Sequence, residues 1–221
     1  MSQSVEIIDV SEITHNVRQF KVEKPDGYEF APGQATEVAI DRDGWRDQRR
    51  PFTFTSLTSA PELEFVIKIY PDHDGVTEQL NSLAAGDRLL IGDAWGAIKY
   101  QGPGYFIAGG AGVTPFIAII RDLQASEALE GNTLIFSNKM EEDIILRSEF
   151  ESANGLVNVF TVTDQPSSPL HRGKIDKAFL QKHVTDFGKE FYVCGPPPMV
   201  EDVSQALEDL GAQSNNIIFE E

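Results

Sequence analysis

Three stretches combine residue types that could hold and react with a phosphorylated cofactor. In YFIAGGAGVTPF (105–116) an apolar run meets a glycine-rich turn, and Pro115 fits the first turn of a helix. Gly109, Gly110 and Gly112 let backbone come close to a ligand, and N–H groups at a helix start favour anionic oxygens. Phosphate binding and a plain structural turn both fit. A G-x-G-x-x-G fingerprint wants glycine where GAGVTP (110–115) has Pro115. That proline costs no backbone bond, because the first N–H groups of a helix have no intrahelical acceptor.

EFYVCGPPPMV (190–200) ends a strand at Cys194, and its three prolines predict a stiff, extended edge. Cys194 is either a small buried hydrophobe or a residue lining the reactive end of a dinucleotide. In RRPFTFTS (49–56), alternation puts Arg50, Phe52 and Phe54 on one face, and Pro51 implies an edge strand. A core-facing Arg50 needs an anionic partner. A ligand phosphate and a distant Asp at a barrel mouth are the two candidates.

The elements that must position these residues fall into two grammars. Up to about residue 101 the chain reads as six strands: VEIIDVSEI, VRQFKVEK, ATEVAID, FTFTS, LEFVIKIY and DRLLIGDAW. Turn-forming Pro, Gly and Asp separate them, which predicts an antiparallel β-barrel or sandwich. One helix interrupts them, VTEQLNSLAAG (76–86), with Val76, Leu80 and Leu83 on one face and Gly86 at its end. From residue 102 strands alternate with helices. The strands are YFIAG, NTLIFSN, LVNVFTVTD, EFYVCG and NNIIFEE; the helices are TPFIAIIRDLQAS, EDIILRSEFESA, DKAFLQKHV and PMVEDVSQALEDLG. That alternation predicts an α/β domain with a parallel sheet and helices on both faces. Two domains result, 1–101 and 102–221. YFIAGGAG is then the first strand and turn of the second, where an open α/β sheet binds pyrophosphate.

Composition narrows the function classes. Lys+Arg 18 against Asp+Glu 35 gives a formal charge of −17, which repels nucleic acid and anionic lipid. The local exception is RDGWRDQRR, with Arg42, Arg46, Arg49 and Arg50, either a solvated loop or an anion or partner-docking patch. A lone cysteine excludes an intrachain disulfide and a four-thiolate iron–sulfur cluster. His15, His73, His171 and His183 form no ligand pair, so no metal is expected. The first residues show no signal-peptide pattern and no run of 18 apolar residues occurs, so a soluble, cytoplasmic protein is expected.

RPFT (Arg50 to Thr53), DGVT (Asp74 to Thr77), GGAGVTP (Gly109 to Pro115) and CGPPPM (Cys194 to Met199) occur in the order and spacing of the ferredoxin–NADP reductase family. Nearly the whole chain resembles its short, cluster-free flavodoxin/ferredoxin reductase members. The resemblance implies an FAD-binding β-barrel over 1–101 and an NAD(P)-binding α/β domain over 102–221. It implies that Arg50 holds the flavin diphosphate, with Pro51 and Phe52 along the flavin and Thr53 near its N5. Phe52 stands where the family usually has Tyr. Lys68, Ile69 and Tyr70 run past the cofactor, and Gly75, Val76 and Thr77 offer N–H groups to its phosphates. Gly110, Gly112, Val113, Thr114 and Pro115 hold the nicotinamide dinucleotide. Cys194 and Gly195, followed by Pro196, Pro197 and Met199, lie near nicotinamide C4. Thr53, Cys194 and Glu220 are the implied catalytic positions.

The chain departs from the family in places. It ends IIFEE, so Phe219 is the candidate to cover the flavin, and GDAWG (Gly92 to Gly96) replaces the usual GPxG. Ser137 and Lys139 are candidates for a 2′-phosphate, although Lys139 alone reads as a solvated loop residue. Asp164 opposes a phosphate, which favours NADH over NADPH. The implied activity is hydride transfer from NAD(P)H to FAD, then electrons to a separate carrier such as ferredoxin or flavodoxin or to a diffusible acceptor. A flavin-binding electron-transfer subunit and a reductase of free flavin are the alternatives. A monomer is expected, with neither nucleic acid nor membrane as partner.

Overall fold

β-Branched and aromatic residues at alternate positions build the first half of the chain. The computed structural model describes residues 2–70, 75–96 and 98–219. Strands β1 (Gln3–Thr14), β2 (Val17–Glu23), β3 (Ala35–Ile40), β4 (Arg50–Thr53), β5 (Glu62–Lys68) and β6 (Arg88–Ile91) form one antiparallel sheet in the order β4-β3-β6-β1-β2-β5. Its two outer strands meet where Phe54 bridges Phe65 and the Thr55 N–H donates to the Glu64 carbonyl at 2.8 Å, closing a barrel. Pro51 lies on one of these outer strands, where its missing N–H breaks no ladder on the open side. The period of two decides the packing. Leu63, Phe65 and Ile67 fill the barrel with Phe20 and Val22. Val66 and Val17 face outward and pack into the second half of the molecule.

The helix expected over 76–86 is shorter. α1 (Val76–Leu80) stops at Leu80, and single turns carry the chain onward, with the Ser82 hydroxyl donating to the Gln79 carbonyl at 2.7 Å. Side-chain competition of this kind unwinds a helix end. Val76, Leu80 and Leu83 are nonetheless all buried, because the turns keep them on one face.

In the second half, β7 (Gly104–Gly109), β8 (Asn132–Asn138), β9 (Leu156–Val162), β10 (His171–Arg172), β11 (Glu190–Cys194) and β12 (Ile217–Phe219) form a parallel sheet in the order β10-β9-β8-β7-β11-β12. Phe106, Ala108, Leu134 and Phe136 face α2 (Thr114–Ala125) and α3 (Arg147–Ser152). Tyr105, Ile107 and Ile135 face α4 (Lys177–His183) and α5 (Pro197–Asp209). Both faces of the central strands β7 and β8 are therefore apolar, as a parallel sheet covered on two sides requires.

Two expectations are corrected here. The helix expected over 142–153 breaks: a 3₁₀ turn covers Glu141–Asp143, Ile144 is extended, Leu146 takes φ 52°, and α3 begins only at Arg147. The Asp143 carboxylate accepts the Met140 N–H at 3.0 Å and closes that first turn on itself. The proline run is not extended throughout. Pro196 is (φ −56°, ψ 137°), but Pro197 and Pro198 form the first turn of α5, where their missing N–H groups break no helix bond.

Candidate active site at the lobe junction

The carboxyl ends of β7, β8, β9 and β11 open toward the barrel, and two joined cavities lie between the lobes. The inner one, of about 410 Å³, has Pro51, Phe52, Thr53, Lys68, Tyr70 and Trp95 on its barrel side and Gly112, Thr114, Pro115, Cys194 and Gly195 on its sheet side. The outer one, of about 1010 Å³, shares Lys68, Tyr70, Gly112, Cys194 and Gly195. It continues over Gly110, Ser137, Lys139, Asp164, Pro196 and Met199. Thr53 and Cys194, more than a hundred positions apart in sequence, thus line one space.

The glycine turn is more than a bare approach surface. Gly110–Val113 form a 3₁₀ turn, and the Thr114 hydroxyl donates to the Ala111 carbonyl at 2.9 Å as α2 begins. Gly110 has φ 54°, and a Cβ there would meet nothing within 4 Å, so it faces open space as a ligand contact should. Gly112 and Gly109 differ. A Cβ on Gly112 would lie 2.6 Å from the Cys194 carbonyl carbon and the Gly195 nitrogen, and one on Gly109 would strike Met199. A Cβ on Gly195 would in turn lie 3.2 Å from Gly109. Gly109, Gly110 and Gly112 all line the outer cavity, and Gly112 and Gly109 also let the β7 and β11 turns interlock.

On the barrel side, Arg50 is exposed rather than core-facing, which corrects the alternation argument. Phe54 turns fully inward and Phe52 partly so, while Arg50 at the strand start escapes the barrel. Among the described residues its guanidinium makes one hydrogen bond, from Nη1 to the Arg49 carbonyl at 2.7 Å, and pairs with no carboxylate. Most of its donor fork is therefore available to an anion. The neighbouring arginines are engaged locally. Arg42 pairs with Asp87 at 3.4 Å, and Arg46 with Asp41 at 2.7 Å and with Asp43.

Of the residues singled out from sequence, Arg50, Gly75, Val76, Val113 and Pro197 line neither cavity. Val76 and Val113 are buried in the two cores. Thr77 does line the inner cavity, and the start of α1 leaves the Val76 and Thr77 N–H groups without intrahelical acceptors. Ile69 reaches the outer cavity although its side chain is largely in the barrel core. Asp74 and Glu220 lie outside the described residues. Phe219, on the edge strand beside Val193, is half-exposed and lines neither cavity.

Three features escape the motif reading. Trp95 is pinned by paired backbone bonds with Ala35 (2.7 and 2.8 Å) and forms part of the inner wall. His15 and Asn16, at the β1–β2 turn, border the outer cavity. Arg121 on α2 reaches across to the barrel; a charge inside the apolar run TPFIAIIRDL was its only sequence signal.

Residues 4–100 match the oxidoreductase FAD-binding domain and residues 106–205 the oxidoreductase NAD-binding domain. NADH-cytochrome b5 reductase 2 of Emericella nidulans is 31% identical over 91% of this chain and 68% of its own length. The chain belongs to the ferredoxin–NADP reductase family. Within it, the toluate 1,2-dioxygenase electron transfer component of Pseudomonas putida is 28% identical over 86% of this chain and 58% of its own length. The chain thus spans about two thirds or less of these relatives. The ferredoxin NADP+ reductase of Neisseria gonorrhoeae, solved with bound FAD and NADP, superposes with a TM-score of 0.85 at 21% identity, covering 99% of this chain and 98% of that one. As a family member this chain carries FAD-binding and NAD-binding oxidoreductase domains.

The residues present fit both cofactors. A slot walled by Phe52, Thr53 and Trp95 suits a flat ring, Gly110 offers a turn open to a phosphate, and Arg50, outside both cavities, keeps most of its donors for an anion. Among the described residues no helix is long and apolar enough to cross a membrane.

Proposed function

We propose that this protein oxidises NADH and passes the electrons through bound FAD to a separate small electron carrier. The observation that carries the reading is the shared cavity in which Thr53 from the barrel and Cys194 from the sheet face each other's wall. When bound, FAD takes up a hydride as an electron pair and can release the electrons singly. The chain's own work is to place two rings together and keep water out. Phe52, Tyr70 and Trp95 supply apolar surface on the barrel side, and Thr53 would donate a hydrogen bond near the reacting edge. Arg50 would hold the flavin diphosphate with its remaining donors. Gly75 to Thr77 would add N–H groups. On the sheet side Gly110 to Pro115 would seat the pyrophosphate of the dinucleotide, and Cys194 and Gly195 would border its nicotinamide.

Glu142, Asp143 and Asp164 line the outer cavity beside Lys139, while Lys68 stands at the end shared with the inner cavity. A 2′-phosphate there would meet three carboxylates, so NADH is the proposed coenzyme. Ser137 and Lys139 then serve the adenosine ribose rather than a phosphate. A ferredoxin or flavodoxin is the proposed acceptor, and the relatives' names widen the class to cytochrome b5 and oxygenase components.

Stopped-flow spectroscopy of the purified yellow protein tests this. NADH should bleach the flavin anaerobically, with a dissociation constant at least about tenfold below that of NADPH. Equal or better reduction by NADPH overturns the coenzyme assignment, and no bleaching by either overturns the reading as a whole.

A further inference from the structure

Arg121 sits two turns along α2 from the cleft, in the seam between the lobes, with its side chain four-fifths buried. Its Nε and Nη2 bind both oxygens of Glu149 on α3, at 2.6 and 2.9 Å. Its Nη1 crosses to the barrel, donating to the Thr55 carbonyl at 2.7 Å and to Glu64 Oε1 at 2.6 Å. Glu64 is itself fixed, accepting the Thr55 hydroxyl at 2.8 Å, while its N–H donates to the Ser56 hydroxyl at 3.2 Å. Burial opposes a charge on Arg121, but Glu149 and Glu64 outweigh it and hold the guanidinium pKa above its ordinary value. One side chain, oriented by its own lobe, therefore grips the other.

The tie and the cleft are opposite ends of the same two rods. From Arg121 to Thr114 at the cleft wall, α2 runs about 10 Å at ~1.5 Å per residue. From Glu64 to Ile67 at the facing wall, β5 runs about 10 Å at ~3.3 Å per residue. Between tie and cleft lies an apolar seam, with Val17, Val66 and Ile98 of the barrel side against Phe116, Ile119 and Ile120. Apolar contact is non-directional and tolerates sliding, whereas a forked ion pair fixes both distance and angle.

We propose that Arg121 is a positioning residue for hydride transfer: by joining Glu149 on the sheet side to Glu64 and Thr55 on the barrel side, it sets the width of the cleft. The proposal rests on the reading of that cleft as the place where nicotinamide meets flavin. A shift of about 1 Å between reacting groups can slow a reaction about 100-fold. Loss of the tie should therefore act on rate before it acts on binding.

The test uses purified holoprotein carrying Glu64→Gln with Arg121→Met, which removes those two charges at nearly constant volume and leaves the partly exposed Glu149 to water, and separately Arg121→Lys. A lysine is a point charge and cannot bind two carboxylates as a fork. The double variant should keep its FAD and bind NADH within about threefold of wild type, yet bleach at least about tenfold more slowly. The long-wavelength absorbance of the reduced flavin stacked on NAD+ should weaken in parallel, a signature that a merely structural defect does not produce. Arg121→Lys should fall between the two, at least about threefold slower with FAD and NADH affinity preserved, and it carries the test alone if the double variant does not fold. Wild-type rates in either folded variant overturn the proposal, as does a slow rate traced wholly to lost FAD or weakened NADH binding. A wild-type protein that neither coenzyme bleaches is a different failure, because it removes the hydride-transfer reading on which this one stands.

Discussion

The two walls of the cleft are made of different material. The barrel wall is built of side chains, Phe52, Thr53 and Lys68 on strands that close the barrel and Tyr70 and Trp95 on the segments that follow β5 and β6. The sheet wall is largely backbone: Gly112 packs against Cys194 and Gly195 with no room for a β-carbon, and Gly195 lies close on Gly109. A wall of side chains can be retuned one residue at a time, because each change alters one contact. A wall of interlocked backbone cannot, because a single added carbon moves two strand ends together. On the proposed reading, ring chemistry falls to the adjustable side and the placement of the dinucleotide to the rigid one.

The largest predicted effect breaks the rigid wall. In Gly112→Ala the new methyl would sit 2.6 Å from the Cys194 carbonyl carbon and the Gly195 nitrogen, both backbone atoms. Overpacking of this kind costs about 1–3 kcal/mol. The displaced Cys194 turn should slow flavin bleaching by NADH by about 100-fold. Gly110→Ala is the control. Its φ of 54° strains an alanine by about 1–2 kcal/mol, but the methyl meets no neighbour. Stopped-flow traces and thermal melts of the two variants separate backbone interlock from backbone strain. Equal rate losses would mean that the interlock is not what matters.

Arg50→Ala is next in size and tests the barrel side beyond the cleft wall. Arg50 is exposed and binds only the Arg49 carbonyl among the described residues, so its loss should leave the intrinsic stability of the fold nearly unchanged. A charge-assisted hydrogen bond to a phosphate is worth about 1.5–3 kcal/mol. The FAD dissociation constant, measured by flavin fluorescence on dilution, should accordingly rise about 10- to 100-fold. An unchanged constant would remove Arg50 from the flavin site.

How much of this was legible in sequence follows from the same contrast. The shift from alternating strands to strand–helix alternation near residue 102 could be read because periodicity records which face of an element is buried. GGAG and CGPPP could be placed because a strand followed by glycine or proline marks where a parallel strand ends. Their mutual interlock could not, because nothing in a linear sequence says that Gly112 meets Cys194. The orientation of Arg50 failed for a related reason: alternation was extended one residue too far, to a strand end where the chain leaves the barrel. The break before Arg147 came from Asp143 closing a local turn, which competes with a helix that pattern alone predicts. Arg121 was hidden because its partners, Glu64 and Glu149, lie far away in sequence and come together only through tertiary packing.

The smallest prediction sharpens the comparison between lobes by their response to acid. In the sheet lobe His183 packs on Phe179 at a ring distance of 4.4 Å, and its Nε2 is buried with no hydrogen-bond partner among the described residues. Burial, with smaller contributions from Lys182 and His171, holds its pKa below the ordinary histidine value. The unfolded chain therefore binds a proton more readily than the folded one. Stability is full above the unfolded pKa of about 6.5 and is lost as pH falls through the folded value. In the barrel, Asp41 is held below the ordinary carboxylate range, first by the Ser4 hydroxyl and then by Arg46. Its contribution is present above about 3.9 and is lost only at more acid pH. Between pH 7.5 and 5.5 the sheet lobe should weaken through His183 while Asp41 contributes no change. Partial exposure reduces the effect to a few tenths of a kcal/mol, about 1 °C in melting temperature. Melts of wild type and His183→Phe at both pH values measure it: the variant should lose that increment of acid sensitivity. An identical pH dependence in the two would place the acid-labile group elsewhere, and the lobes would then not differ in the way the buried His183 Nε2 implies.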